Sequence, residues 1–334
     1  MYAKIIHGDK VFTILRDEWD DLAQRGMTDT PFQTLTYQES WWRNLQPEGS
    51  ELHSIIIRSD DNQLTAIACL YIADQGVVRF NGCVEETDYL DLIVEARHAE
   101  EAWCLILDCL LSDGYPSWRL LELCNIPEIS PSRTILPRIS EDLDHFVIES
   151  VSEVCPVIKL PDSFDDYLQS LDSKQRREIQ RKLRRAHGSN VKLTITGEQD
   201  DLQQAVTDFL NLLQKSTFEK RDWLNEGRRA LFLAVADAAL HSNTLQLMFL
   251  EVNGRKAAAL FNFNYRDRIW VYNSGLDPNL FGNLSLGVVL TAKAIEWAIE
   301  NGLSEFDFLR GSETYKYRFG AQDTTVFRLQ ISRN

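Results

Sequence analysis

Apolar positions alternate along two separate stretches of the chain, and each stretch leads into a segment with helical period. In the C-terminal half, Leu245–Val252 alternates as a strand, Asn253-Gly254 is a type I′ hairpin signal, and Lys256–Tyr265 is the return strand. Arg266-Asp267-Arg268 turns the chain into a third strand, Ile269–Ser274. The loop LDPNLFGN precedes a predicted helix over Leu286–Asn301, with Gly302 as its stop. Along it Val288, Ala292, Ile295 and Ile299 recur at helical spacing and should face the sheet. Glu305–Leu309 and Val326–Ile331 then read as strands that complete this sheet. The N-terminal half repeats the order: strands His53–Arg58, Leu64–Ala73 and Val77–Asn81, helix Ala96–Ser112, then strand Trp118–Leu123. Three antiparallel strands, a helix and a parallel return strand thus occur twice. The pattern predicts a duplicated α/β (α+β) domain, with boundaries at 1–152 and 153–334, each a mixed, mostly antiparallel sheet flanked by helices. Chance recurrence of this order is the alternative.

A strand, a small-residue loop, a helix N-terminus and a parallel return strand are the minimum that can hold a phosphorylated ligand beside a sheet opening. Ser285 is placed to cap the 286–301 helix, and Gly287 in its first turn lets a ligand approach the backbone. After the return strand, DFLRGSETYKYRFG crowds Arg310, Glu313, Tyr315, Lys316, Tyr317 and Arg318 into nine residues. A salt-bridged surface loop with tyrosine anchors is the plain reading of that cluster, and a site is the other.

Composition narrows the function. The formal net charge of −15 argues against broad affinity for DNA or anionic membranes. Against that background Lys174, Arg176, Arg177, Arg181, Lys182, Arg184 and Arg185 form a basic helix face around Leu171, Ile179, Leu183 and Ala186. The block is either a solvated face or a surface for phosphates. The cysteines form no CxxC pair and read as small buried residues of a reducing, cytoplasmic compartment. The histidines show no HxH or HExxH, so no metal site is expected. No apolar run is long enough to span a bilayer, and no secretory signal is visible.

The segment from Asn273 through Leu284-Ser285-Leu286-Gly287, the helix end Glu300-Asn301-Gly302 and DFLRGSETYKYRFG together resemble the CelD/FemAB-like branch of the GNAT acyltransferase superfamily. Asp307, Phe308, Gly311, Glu313, Tyr315 and Lys316 match its D-F-x-x-G-x-E-x-Y-K pattern, and Arg176–Arg185 is similar to the Arg-rich helix of its C-terminal domain. Leu286 stands where the family often has Pro, and the superfamily's phosphate-loop pattern is reduced to Gly282, Asn283, Ser285 and Gly287. The resemblance implies two tandem GNAT-like domains and an acyl-CoA-dependent N-acyltransferase. Its donor would be acetyl-CoA or another acyl-CoA, and its acceptor an amine of an amino sugar, amino acid or glycan in exopolysaccharide or cell-envelope assembly. Asn273, Ser274 and Gly275 would then polarise the acyl carbonyl through backbone amides, and Ser285, Leu286 and Gly287 would cradle the pyrophosphate. Glu313 is the expected base or amine-orienting group, Tyr315 the proton donor to the thiolate, and Asp307 a catalytic or structural carboxylate. Arg310, Lys316, Tyr272, Arg181 and Arg185 are the expected substrate contacts. An aminoacyl-tRNA-dependent transferase of the FemAB type, and a non-catalytic scaffold of a polysaccharide machine, are the competing readings.

Overall fold

In a computed structural model, which describes residues 1–83 and 86–332, the chain forms two compact units. The first contains β1 (Tyr2–His7), α1 (Lys10–Ile14), α2 (Trp19–Arg25), α3 (Leu35–Leu45), β2 (Glu51–Arg58) and β3 (Leu64–Ala68). It continues with β4 (Leu70–Ala73), β5 (Val77–Phe80), β6 (Ile93–Val94), α4 (Ala99–Leu111), β7 (Leu120–Pro127) and α5 (Ser132–Asp142). The expected strand Leu64–Ala73 is two strands, broken at Cys69, because β2 pairs with β3 over one half and with β4 over the other. β5 and β7 run parallel, Val77 opposite Leu120, with α4 as the crossover. That adjacency corrects the reading of the cysteines as separate thiols. Cys83, just past β5, and Cys124 in β7 lie 5.7 Å apart at Cα and are joined by a disulfide.

The second unit, Val154–Thr324, takes up the end of β8 (Phe146–Lys159) and then α6 (Phe164–Ser170), α7 (Ser173–His187) and β9 (Val191–Ile195). Three helices follow, α8 (Leu202–Ser216), α9 (Phe218–Trp223) and α10 (Glu226–His241), before the meander β10 (Leu245–Val252), β11 (Arg255–Tyr265) and β12 (Arg268–Leu276). Then come α11 (Leu286–Glu300), β13 (Glu305–Asp307), the one-turn α12 (Thr314–Tyr317) and β14 (Gln322–Ser332). Asn253 and Gly254 both have positive φ (51° and 75°), as a type I′ turn requires. Strand order in this unit is β8-β13-β12-β11-β10-β9, and β13 and β12 are its parallel pair.

Side chains alternate across this sheet and create two cores. Ala258, Leu260, Ile269 and Val271 face α6, α7 and α11, where Ile179, Ala186, Leu290 and Ile295 are buried. Phe261, Phe263 and Tyr272 face the opposite way, stacking with Phe209 of α8 and Phe232 of α10 at ring separations of 5.1–5.8 Å. Each such ring contributes roughly 2–3 kcal/mol by leaving water. The helices are started by side chains: Asp172 accepts from the amides of Lys174 and Gln175, Asp201 from Gln204, and Asn225 from Arg228.

Val326–Ile331, expected to complete the second sheet, and with it the C-terminal end of the 153–334 domain, belong elsewhere. From Thr325 on the chain folds with the first unit, where Ile331 pairs antiparallel with Leu121. Leu329 and Ile331 are fully buried in that unit's core, so the apolar face of β14 decides its partner rather than its place in the chain.

Gly275 of β12 sits against the α8 backbone. A Cβ there would lie 2.6 Å from the Leu213 nitrogen and 2.8 Å from the Leu212 carbonyl carbon. Backbone cannot swing aside, so Gly275→Ala should destabilise the protein by about 1–3 kcal/mol through overpacking. Urea unfolding measures this, and an unchanged midpoint would show that α8 is free to shift.

Candidate functional site

The parallel pairing of β12 with β13 runs from Arg268–Glu305 to Trp270–Asp307 and stops there, while β12 continues to Leu276. Two local features part the strands. Asn262 pairs with Val271 but Phe261 pairs with Asn273, so Tyr272 is an inserted residue, a β-bulge that bends β12. Past Asp307 the chain follows β8 instead, with the Phe308 and Gly311 amides donating to the carbonyls of Pro156 and Val154. The loop before α11 and the Glu313–Lys316 segment follow the C-terminal ends of these two parallel strands, at the same end of the sheet.

Lys316 holds the lower lip of the split. Its side chain is 3% exposed, and Nζ donates to the carbonyls of Leu309 (3.2 Å), Arg310 (2.7 Å) and Gly311 (2.9 Å) and pairs with Glu313 Oε2 at 2.8 Å. An ammonium with three donors has none left over, so Lys316 is not the substrate-binding cation expected from its position. Leu309 has φ 58°, an unusual left-handed conformation for a leucine, and its amide donates to Asp307 Oδ1 at 2.7 Å. Asp307 is fully buried, with Arg268 3.6 Å from its other oxygen. It shapes the turn and is corrected from a catalytic to a structural residue.

Glu313 is exposed, next to Gly311, whose φ of 110° and missing side chain leave room for its carboxylate; a Cβ on Gly311 would lie 2.5 Å from Oε2. Tyr315 packs edge-on against Phe308, with centroids 6.0 Å apart. Part of its ring stays open to solvent, yet desolvation first and the Glu313 charge second push its phenol well above the usual tyrosine range. Arg310 is half-buried and gives its carbonyl to Lys316.

On the upper lip the Asp277 amide donates to Ala257 of β11, so by alternation residues 274 and 276 turn their backbone groups toward the split. These groups are already satisfied. Asn273 Oδ1 accepts from the Ser274 amide (2.9 Å), and Ser216 Oγ accepts from the Leu276 amide (2.7 Å). The Ser274 carbonyl accepts from Lys220 Nζ at 2.7 Å. Asn273, Ser274 and Gly275 therefore do not form the row of free amides expected from the sequence. Tyr272 belongs to the aromatic cluster with Phe232, Phe261 and Phe263, not to a substrate-lined cleft.

Lys220 is the residue that sequence reasoning missed. It lies in a charged segment, FEKRDW, with nothing to distinguish it from a surface lysine. α9 instead folds it against β12, where Nζ also meets Asn273 Oδ1 (3.0 Å) and Ser274 Oγ (3.3 Å). Desolvation brings its pKa down to about 8, opposed by the Glu313 carboxylate and reinforced by Lys316.

At the start of α11 the expected cap is absent. Ser285 is left-handed (φ 54°, ψ 50°) and its side chain accepts no amide; its carbonyl accepts from Val288 and Val289. Among the described residues nothing accepts from the Leu286 or Gly287 amides, and nothing lies within 4 Å of a Cβ built on Gly287. The Leu286 side chain is core, so it offers only its backbone. The open amides and the helix dipole suit an anion. The basic helix α7 packs beside this turn, with Arg185 donating to the Asn283 carbonyl at 2.9 Å, while Arg181 is engaged by Glu178 of its own helix.

Residues 173–317 match the family model described as an acetyltransferase (GNAT) domain. FemX has the same fold over 98% of this chain and 96% of its own, with a TM-score of 0.67 at 10% identity. A tandem GNAT protein from the clavulanic acid biosynthesis pathway aligns over 99% of both chains (TM-score 0.51, 11% identity). The C-terminal domain of a putative lysylphosphatidylglycerol synthetase from Agrobacterium fabrum aligns over 94% of this chain and 93% of its own (TM-score 0.54, 10% identity). No curated protein matches the chain.

Replacing Lys316 with methionine removes the donor from three carbonyls in a buried turn. The variant should lose about 2–4 kcal/mol of stability, read from chemical denaturation near neutral pH. A loss below about 1 kcal/mol would mean that water replaces the ammonium without strain.

Proposed function

We propose that the chain, whose residues 173–317 match the acetyltransferase (GNAT) domain model and whose fold is shared with FemX and a tandem GNAT protein, transfers an acyl group from coenzyme A to an amine at the β12–β13 split. The observation that carries this reading is the parting of two parallel strands with Glu313, Tyr315 and Lys220 around the opening and a helix with uncapped amides beyond it.

The residues fit the donor unevenly. The Leu286 and Gly287 amides suit its pyrophosphate, and Arg185 next to them adds positive charge. The backbone edge at 274–276, which an extended thiol arm would otherwise pair with, is taken by Asn273, Ser216 and Lys220. The donor is therefore held chiefly at its phosphate end. Glu313, exposed and facing the opening, takes the proton of the attacking amine, and the Tyr315 phenol, kept protonated by its surroundings, gives a proton to the departing thiolate. The acceptor we propose is the primary amine of an amino sugar or amino acid used in exopolysaccharide or envelope assembly, a context that rests on family resemblance. Half-buried Arg176 and exposed Arg184 on α7 favour aminoacyl-tRNA as the second reading of the donor.

Thermal shift separates these readings. Acetyl-CoA or coenzyme A should raise the unfolding temperature by several degrees; a shift with charged tRNA alone would move the assignment to the second donor, and a shift with neither would leave a non-catalytic scaffold. In a coenzyme A release assay with a panel of amino sugars and amino acids, Glu313→Gln should lower turnover at least about tenfold while melting like the wild type. Undiminished turnover would remove Glu313 from the chemistry.

A further inference from the structure

A thioester carbonyl that turns tetrahedral places negative charge on its oxygen, and a donor must already be waiting there. Backbone amides of β12 do not supply it. Those of Ser274 and Leu276 are bonded to Asn273 Oδ1 and Ser216 Oγ, and alternation turns those of Asn273 and Gly275 toward β11. The same edge carries a positive charge. Lys220 Nζ is anchored by the Ser274 carbonyl at 2.7 Å and Asn273 Oδ1 at 3.0 Å, and its third contact, to Ser274 Oγ, is long at 3.3 Å. A hydroxyl can rotate to another partner, so this third N–H is the one that can be lent to a ligand oxygen. Its position is not adjustable at will, because α8, which leads into α9, is pressed onto Gly275 at backbone contact.

We infer that Lys220 is a catalytic residue of the transfer, donating from Nζ to the acyl oxygen as negative charge forms there, in place of the amides that the strand has already spent. The inference rests on acyl transfer at this split. The neutral amine's lone pair attacks the carbonyl carbon, the C–N bond forms, and the π pair moves onto the oxygen beside Nζ. As that pair returns, the C–S bond breaks and sulfur leaves with its electrons. The amine's proton goes to Glu313, the Tyr315 proton goes to sulfur, and solvent returns the proton from Glu313 to the phenolate. Lys220 keeps its protons throughout and acts only while it is charged.

That last condition gives the role a signature. The charged groups acting on Lys220 are Glu313, which favours the ammonium, and Lys316, which opposes it. On α9 itself Arg221 pairs with Asp222, and at the end of α8 Lys215 pairs with Asp277. With the ammonium lost above about 8, turnover should fall as pH rises through that value. A base that merely needs to be deprotonated gives the opposite slope.

The test uses the full chain, acetyl-CoA and whichever amine of the panel the wild type accepts. Lys220→Met should lower kcat by about a hundredfold with KM for acetyl-CoA changed little. Lys220→Arg, which cannot lose its charge, should keep measurable turnover and lose the alkaline fall. A kcat for Lys220→Met within about twofold of wild type overturns the inference, as does an alkaline fall that persists unchanged in Lys220→Arg. If Lys220→Met does not fold, the arginine profile decides alone. If the wild type turns over no acyl-CoA, the transfer reading has failed on its own account, and competitive acetylation of the unliganded protein with acetic anhydride still judges Lys220. Labelling with a midpoint near 8 supports a reachable, depressed ammonium; a Lys220 that stays unlabelled at every pH while surface lysines react overturns it.

Discussion

The candidate site depends on a buried ammonium. Lys316 gathers three successive carbonyls, from Leu309 to Gly311, and so fixes a turn that begins with a left-handed leucine. A left-handed leucine costs of order 1–3 kcal/mol and persists only when its surroundings enforce it. Here Asp307 fixes the amide and Lys316 the carbonyl of the same residue. The turn sends the chain along β8 instead of β12, and the strands separate. Glu313 stands at the mouth because this turn puts it there, and Gly311 has no side chain that would displace its carboxylate.

Two lysines near one carboxylate have different duties for a reason visible in their partners. Lys316 is matched by Glu313 at 2.8 Å as well as by carbonyls, so its charge is compensated where it lies. Lys220 has only neutral partners within hydrogen-bond distance, and desolvation outweighs the more remote pull of Glu313. A partly desolvated charge with dipoles but no counter-ion gains from any anionic neighbour. A developing oxyanion is such a neighbour, and it appears only during reaction. Stabilisation that arrives with the transition state and not before is what accelerates a chemical step.

Much of the architecture was legible because strand alternation, a type I′ turn and helical period are local signals. The meander β10–β12, the helix α11 and the repeat of this order in the first unit follow from them. What escaped was whatever depends on contacts distant in sequence. Leu329 and Ile331 read as the last strand of the second sheet, and their burial in the first unit's core, with Ile331 paired to Leu121 of β7, shows otherwise. Cys83 and Cys124 are 41 positions apart and meet because β5 and β7 are neighbours. In the candidate site, the motif gave reactive tasks to two charges that the structure holds in the turn itself. Asp307 and Lys316 look like reactive groups in a list of residues, and burial makes them scaffold. Lys220 looks like surface, and a six-residue helix folds its half-buried side chain against β12. Sequence records which side chains a segment carries, whereas the packing of α8 on Gly275 decides which of them points inward.

The satisfied edge of β12 also bears on how a donor can bind. An open strand edge offers amides and carbonyls in alternation and would hold an extended arm along its length. In this chain Asn273, Ser216 and Lys220 already occupy those groups from Ser274 to Leu276. Any ligand pairing there must first break bonds of 2.7–2.9 Å, each replaced at no net gain. On the proposed reading, affinity would then come from the two ends: unpaired amides at the start of α11 with the cations of α7 beside them, and the polar cluster at the split. A site held at its ends tolerates variation in the middle of its ligand. On the proposed reading, such an arrangement would suit donors that share a phosphate and an activated acyl carbon but differ in what joins them, with Lys220 and Glu313 in the same places for each.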